Sequence, residues 1–147
     1  MFKHILVPTD GSKLSLKALD AAASLALLSK AKLTVVTISG MYPNMVGGDG
    51  YLLATITPRE WEAGLAKRAA GIQRDVEKRL AKSKIVHGFV AVTNDEVHAG
   101  ILETAKRRKC DLIVMASHGR RGLSALLMGS ETNKVLTHSK LPVLVCR

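Results

Sequence analysis

Five short apolar runs alternate along this chain with stretches of helical periodicity, and this alternation constrains the fold more than any other feature. The runs cover residues 2–8, 32–38, 85–92, 112–116 and 141–147. Strands separated by helices pair in parallel, and continuous apolar strands are buried on both faces of their sheet. The pattern predicts an α/β fold: an open five-stranded parallel sheet with helices on both faces, in one domain spanning residues 1–147.

The predicted helices carry recognisable start signals. Ser12 is a candidate N-cap of the first helix, and Pro58 fits the first turn of a long helix over roughly residues 59–82. Asn94-Asp95 are predicted to cap the third, and a fourth follows near residues 131–138. The first helix repeats apolar residues at three- and four-residue steps, which predicts one buried face. That face comprises Leu16, Leu19, Ala23, Ala26 and Leu27.

Composition limits the class of protein. The 147 residues are 47% hydrophobic and 23% charged, as in soluble globular proteins. No apolar stretch approaches the roughly 18 residues of a membrane span. Cys110 and Cys146 have neither CxxC spacing nor an obvious partner, so we expect inert packing thiols in a reducing, cytoplasmic compartment.

The net charge favours anionic partners. Lys and Arg number 22 against 12 Asp and Glu, which leaves a formal charge of +10. Most of the basic residues are spread along helix faces, where they also serve solubility. The one dense cluster is Lys106-Arg107-Arg108-Lys109. Nucleic-acid binding is therefore a hypothesis that rests on charge alone, and we rank it last.

A candidate phosphate site follows the fourth strand. The apolar run stops at Ala116-Ser117-His118-Gly119, and after nine intervening residues the pair Gly129-Ser130 opens another helix. Backbone N–H groups at a glycine turn and at a helix N-terminus favour anions, phosphate above all. The segment predicts a phosphate-binding platform at the end of a parallel sheet.

The first strand ends with a second group of special residues, Pro8-Thr9-Asp10-Gly11-Ser12. Ligands of open α/β sheets bind beyond the carboxyl ends of the strands, where the strand order reverses. If the sheet reverses between strands one and four, Asp10 and Gly119 come close together. Asp10 then has two equally supported roles: accepting hydrogen bonds from ribose hydroxyls, or capping its own turn. Gly119 and Gly129 also have two possible roles: they contact a phosphate, or they are plain turn and cap residues.

Other chemistries lack their motifs. Neither GxxxxGK(S/T) nor GxGxxG is present, and no two histidines have metal-ligand spacing on one helix face. A triad of Ser117, His118 and Asp10 is disfavoured because adjacent residues rarely point at each other and GxSxG is absent. Residues 40–57, which contain Pro43 and a glycine cluster, are predicted to form a long loop that is either a functional lid or a plain insertion.

These residues resemble the universal stress protein (UspA) family over essentially the whole chain. The resemblance rests on FKHILVPTDGS at the start, on CDLIVMASHGRRGLSALLMGSETNKVLTHSKLPVLVCR at the end, and on the strand order between. The nucleotide-binding branch of that family carries G-x2-G-x9-G-(S/T). Here the pattern is Ala116-x2-Gly119-x9-Gly129-Ser130. The fold that the resemblance implies is Rossmann-like, of the adenine nucleotide alpha hydrolase type.

The resemblance implies an ATP site with defined roles. Pro8, Thr9 and Asp10 would border adenine and ribose, Ile38 would lie against the base, and the backbone at Ala116 would lie near the ribose. Gly119, Gly129, Ser130 and Glu131 would offer main-chain N–H groups to the phosphates, with Arg120 and Arg121 adding charge or remaining solvated. The implied site set is Pro8, Thr9, Asp10, Ile38, Met115, Ala116, Gly119, Arg120, Arg121, Gly129, Ser130 and Glu131.

Alanine at position 116 is the one departure from the family pattern. It would cost ~1 kcal/mol if the site needs a positive φ there, so we expect binding to be weakened or unaffected. The resemblance also implies a cytoplasmic homodimer that pairs through the last strand, Leu141 to Cys146, and a role in stress survival.

No general base is evident for hydrolysis, so catalysis is expected to be slow at most. Any Mg²⁺ would arrive with the phosphates. The leading hypothesis is an ATP-binding sensor or switch, and the alternative is a dimeric interaction protein of the same fold that binds no nucleotide.

Overall fold

The computed structural model describes residues 1–42, 56–119 and 128–147, and within them strands and helices alternate as predicted. The strands are β1 (His4–Pro8), β2 (Lys32–Ser39), β3 (His87–Thr93), β4 (Leu112–Ala116) and β5 (Val143–Cys146). The helices are α1 (Lys13–Ser29), α2 (Pro58–Leu80), α3 (Val97–Arg107) and α4 (Ser130–His138). Most of the predicted 40–57 loop lies outside the described residues.

All five strands pair in parallel in the order β3-β2-β1-β4-β5, which confirms the predicted fold class. The chain starts at the centre of the sheet, builds outward through β2 to β3, and then crosses back to β4 and β5. The order therefore reverses beside β1, whose Ile5 and Leu6 pair with Leu112 and Ile113 of β4. Strands one and four are neighbours, as the candidate site requires.

The helices cover the sheet in two pairs, and alternate residues of each strand face the two pairs. Ile5 and Val7 of β1 belong to the core under α1 and α2, whereas Leu6 between them belongs to the core under α3 and α4. This two-sided burial explains why the strands read as continuous apolar runs.

Three of the four predicted helix starts are correct, and α4 begins at Ser130 as expected. The Ser12 side chain accepts the N–H of Ser15, and Pro58 follows a capping box in which Thr57 and Glu60 bond reciprocally. The predicted Asn94-Asp95 cap is wrong: Glu96 is the N-cap of α3 and makes no side-chain cap bond. Asn94 instead accepts the N–H of Glu96, and Asp95 accepts the N–H of Met41. These carboxylate and amide oxygens organise the turn before the helix.

The predicted buried face of α1 is correct except at its end. Leu16, Leu19 and Ala26 are buried, but Leu27 is 53% exposed and the unpredicted Ala22 is fully buried. Leu19, Ala22 and Ala26 follow a three- and four-residue repeat. Leu27 lies about 100° around the helix from Ala26, on a flank that packing leaves in solvent.

Both cysteines are free thiols. Cys110 is buried in the core under α3 and α4, and desolvation by burial raises the pKa of its thiol to about 11. Burial also raises the pKa of Cys146. A thiol that stays protonated is a weak nucleophile, so the expectation of inert packing groups agrees with both environments. Within the ranges described, no helix is long and apolar enough to cross a membrane.

Burial predicts which leucine of α1 holds the helix on the sheet. Leu19 is fully buried and Leu28, on the same helix, is 80% exposed. Leu19→Ala should lower the free energy of unfolding by about 2–5 kcal/mol, because it removes apolar contacts and leaves a cavity. Leu28→Ala, the matched control, should change it by less than about 0.5 kcal/mol. Urea unfolding followed by circular dichroism measures both, and equal effects would contradict the packing described.

Candidate functional site

The carboxyl ends of β1 and β4 bring the two predicted groups of residues together. A Cβ atom built on Gly119 would lie 2.8 Å from Oδ2 of Asp10. The carboxylate that follows β1 therefore sits directly against the glycine turn that follows β4. This is the proximity that the strand order predicted, and a side chain at position 119 would displace the Asp10 carboxylate.

Hydrogen bonds within the turn after β1 hold Asp10 in place. Gly11 has a φ of 78°, the left-handed region that favours glycine, and its N–H donates to Oγ1 of Thr9 at 3.1 Å. Oδ1 of Asp10 accepts the N–H of Ser12 at 3.0 Å. Asp10 thus has the predicted turn-capping role through Oδ1, while Oδ2 faces Gly119.

Thr9 is buried, and its hydrogen bonds stabilise this turn. Its N–H donates to the carbonyl of Val36, which ties the turn to β2. The Ser15 hydroxyl donates to the Ser12 carbonyl, so the 2.8 Å contact between Thr9 and Ser15 uses the Thr9 hydroxyl hydrogen. That hydroxyl has no hydrogen left to donate to a ligand. Pro8 precedes it, half-buried at the end of β1.

Hydrogen bonds to the end of β4 hold the N-terminus of α4. The Gly129 N–H donates to the carbonyl of Ser117 at 2.8 Å, and the Thr132 hydroxyl donates to the carbonyls of Ala116 and Ser117 at 3.0 and 3.2 Å. A Cβ on Gly129 would lie only 3.0 Å from the Ser117 oxygen. Gly129 has φ −59°, so close approach, and not an unusual backbone angle, requires glycine here.

The Gly129 bond changes which groups can hold an anion. The resemblance implies a phosphate contact from the Gly129 N–H, but that N–H is already paired with Ser117. The first intrahelical bond of α4 runs from the Asn133 N–H to the Gly129 carbonyl. The N–H groups of Ser130, Glu131 and Thr132 therefore have no intrahelical acceptor, and they point out of the helix N-terminus. A helix N-terminus of this kind favours negative charge.

The Glu131 side chain joins α4 to α3. Its Oε2 accepts the N–H of His98 at 2.9 Å, and its Oε1 lies 3.2 Å from Nζ of Lys134. The carboxylate is thus directed at α3, and only the main chain of Glu131 is available to the site.

Three further predicted residues have packing roles. Met115 is buried in the core under α3 and α4, so its side chain does not reach the cleft. Ile38 is half-buried at the end of β2, where a Cβ on Gly100 of α3 would lie 3.1 Å from its Cδ1. Ala116 is buried within β4 and has no positive φ. The backbone cost considered for alanine at this position does not arise. Arg120 and Arg121 lie outside the described residues.

Ser117 and His118 contact each other although they are adjacent in sequence, contrary to the expectation for neighbouring residues. The hydroxyl of Ser117 lies 2.9 Å from Nδ1 of His118. Ser117 is nonetheless only 2% exposed, so its hydroxyl is not accessible to a substrate as a nucleophile. The pair instead stiffens the turn after β4.

Sequence reasoning missed two hydroxyl residues that shape the site, Ser15 and Thr132. Both lie on the buried faces of amphipathic helices, one turn after the helix start. A small hydroxyl residue in that position indicates a buried hydrogen bond, because a buried hydroxyl needs a nearby acceptor. The acceptor is the Ser12 carbonyl for Ser15, and the carbonyls at the end of β4 for Thr132.

Comparison with known proteins finds relatives that match this chain over its full length. The sequence matches the universal stress protein family over residues 1–147. The Bacillus subtilis universal stress protein YxiE is 30% identical over 150 residues that span all of both chains. The solved structure of Methanocaldococcus jannaschii MJ0577 has a TM-score of 0.80 at 25% identity, covering 99% of this chain and 96% of that one.

A second solved structure is informative because it contains a ligand. It is a universal stress protein in complex with cAMP, with a TM-score of 0.71 at 26% identity, covering 99% of this chain and 97% of that one. The match of the family over residues 1–147 identifies the chain: it belongs to the universal stress protein family.

Proposed function

We propose that this protein binds an adenine nucleotide, ATP in the first instance, and acts as a sensor or switch in the stress response. One observation carries the proposal: the Asp10 carboxylate, Gly119 and the first turn of α4 meet where the strand order reverses. This is where open α/β sheets bind ligands, and the groups present suit a ribose and a phosphate.

Each part of the nucleotide has a matching group. The main-chain N–H groups of Ser130, Glu131 and Thr132 would donate to phosphate oxygens, together with the Ser130 hydroxyl. The Asp10 carboxylate, which accepts the Ser12 N–H through Oδ1, would accept hydrogen bonds from ribose hydroxyls. Pro8, Thr9 and Ile38 would border the base, with the backbone at Ala116 near the ribose.

The cAMP complex of a relative supports the class of ligand. A cyclic nucleotide shares the adenine ring and a phosphate with ATP but lacks the free 3′-hydroxyl and the β- and γ-phosphates. Titration with both compounds therefore distinguishes a triphosphate site from a monophosphate site. Mg²⁺ would be held by the phosphates, and hydrolysis would be slow at most.

We also propose that the protein is a cytoplasmic homodimer of one-domain protomers that pair through Leu141 to Cys146. The strand β5 is an outer strand of the sheet, and Leu144 on it is 44% exposed. An exposed apolar side chain on an open strand edge favours pairing with a second copy.

The alternative, a dimeric interaction protein without nucleotide, depends on Ala116. Because Ala116 lies inside β4 with an ordinary extended backbone, its methyl group gives no reason against nucleotide binding. No other feature of the described residues favours this alternative.

Substitution of Gly119 tests the site. In Gly119→Ala the new Cβ would lie 2.8 Å from Oδ2 of Asp10, so the carboxylate must rotate away. We expect the affinity for Mg²⁺-ATP, measured by isothermal titration, to fall about tenfold, or about 1.4 kcal/mol, with the fold unchanged. Gly64→Ala is the matched control, since its Cβ would meet nothing within 4 Å. No heat with the unsubstituted protein up to millimolar ATP would contradict the proposal itself.

The ribose contact has its own test. Asp10→Asn keeps an oxygen to accept the Ser12 N–H but removes the charge that ribose hydroxyls would bond. A hydrogen bond to a charged group contributes about 1.5–3 kcal/mol, so ATP should bind roughly tenfold or more weakly. The loss should be much smaller for 2′,3′-dideoxy-ATP, which has no hydroxyl to lose. Asp20→Asn, an equal charge change on the exposed face of α1, is the control. Equal losses for both nucleotides would show that Asp10 does not contact the ribose.

The proposed dimer is tested at Leu144. Leu144→Lys places a charge on the outer strand β5 and should convert dimer to monomer, as measured by sedimentation equilibrium. Leu28→Lys adds the same charge at an exposed leucine of α1 and should leave the mass unchanged. A monomeric unsubstituted protein, or a dimer that survives Leu144→Lys, would contradict pairing through β5.

A further inference from the structure

The opposite edge of the sheet, formed by β3, has no partner strand among the residues described. The Leu33 N–H donates to the Val86 carbonyl, and the Asn94 N–H donates to the Ser39 carbonyl. Parallel ladders alternate, so the even-numbered residues of β3 bond to β2. The N–H and C=O groups of Phe89, Ala91 and Thr93 therefore point outward along an edge strand 7 residues long.

A groove with a basic wall runs beside this edge. It is lined by Val90, Ala91 and Val92 of β3 and by Arg107 and Arg108 at the end of α3. Val90 and Val92 are half-buried on the α3 side, whereas both arginines are exposed. The groove thus combines open main-chain groups, an apolar floor and two guanidinium groups.

The arginines belong to the basic cluster Lys106–Lys109, which the nucleotide proposal does not use. They lie just before β4 begins, at the amino edge of the sheet, and the candidate nucleotide site lies at the carboxyl edge. The two arginines are therefore separate from that site, whereas Val92 of the groove pairs with Ile38 of β2.

We propose that the β3 edge binds an acidic segment of a partner protein as an added strand. In such a strand, alternate side chains face opposite sides of the sheet. Acidic side chains on the α3 side would meet Arg107 and Arg108, and apolar side chains on the other side would pack beside Phe89 and Ala91.

Charge and geometry favour this occupant over two others. A second copy of this chain, with a formal charge of +10, would bring its own arginines against the same wall. A nucleic acid would satisfy the arginines through its phosphates, but it has no peptide backbone to pair with the outward N–H and C=O groups of β3. A strand with carboxylates satisfies both features.

The test uses a capped peptide as long as β3, alternating Val and Glu, with a Val-Lys peptide and a proline-interrupted Val-Glu peptide as controls. We expect the Val-Glu peptide alone to bind at up to millimolar concentration and to slow amide hydrogen exchange at Phe89, Ala91 and Thr93, measured by nuclear magnetic resonance. Failure to bind, or amides already protected in the free protein, overturns the proposal.

Two pairs of charge reversals distinguish binding in the groove from long-range electrostatic attraction to the basic cluster. Arg107→Glu with Arg108→Glu should weaken binding of the Val-Glu peptide about tenfold or more, because it reverses two charges that line the groove. Lys106→Glu with Lys109→Glu makes the same charge change in the same cluster outside the groove, and its effect should be much smaller. Equal weakening by both pairs overturns the proposal, since it shows only long-range attraction.

The proposed main-chain hydrogen bonds between β3 and the added strand are tested by Ala91→Pro. This substitution removes one outward N–H and leaves the bonds from β3 to β2 intact. We expect it to abolish the protection at Phe89 and Thr93. Unchanged peptide binding in this variant overturns strand addition. Tighter binding of a single-stranded oligonucleotide, lost on Arg107→Glu with Arg108→Glu, assigns the groove to nucleic acid and overturns the proposal as well.

Discussion

The carbonyl groups at the end of β4 determine where α4 begins, and the candidate site depends on that position. The Ser117 carbonyl accepts the Gly129 N–H and the Thr132 hydroxyl, and the Ala116 carbonyl also accepts from Thr132. Each such bond contributes about 1 kcal/mol net, and leaving a buried carbonyl unpaired costs more. The N-terminus of α4 is therefore held at the strand end, beside the carboxylate that follows β1.

This constraint assigns different reasons to the two glycines of the motif. Gly129 is needed because the helix start approaches the Ser117 carbonyl closely, and Gly119 because the Asp10 carboxylate occupies the space that a side chain would fill. Position 116 has no comparable constraint, since it lies within a strand and its backbone is extended. Alanine is compatible with the structure at this position, whereas a side chain at 119 or 129 would move the groups that form the site.

The sequence predicted the fold because its signals are local and repeated. Apolar runs, their separation by helices and caps such as Ser12 each depend on a few neighbouring residues. Errors occurred where a second element decides the outcome. Asp95 bonds to Met41 across the chain instead of capping α3, and Leu27 lies on a flank of α1 that packing leaves uncovered. For the same reason the pairing of the Gly129 N–H with Ser117 could not be predicted, since periodicity does not show which carbonyl a turn will meet.

Among the residues described, the two outer strands of the sheet, β3 and β5, differ in chemistry, and this difference separates their possible partners. The β5 edge presents the exposed side chain of Leu144. The β3 edge adjoins Arg107 and Arg108. The apolar Leu144 side chain suits the proposed pairing of two identical β5 edges. Two identical basic edges repel, so pairing there needs a partner of opposite charge. The proposed dimer would therefore use the β5 edge, and the proposed acidic strand would use the β3 edge.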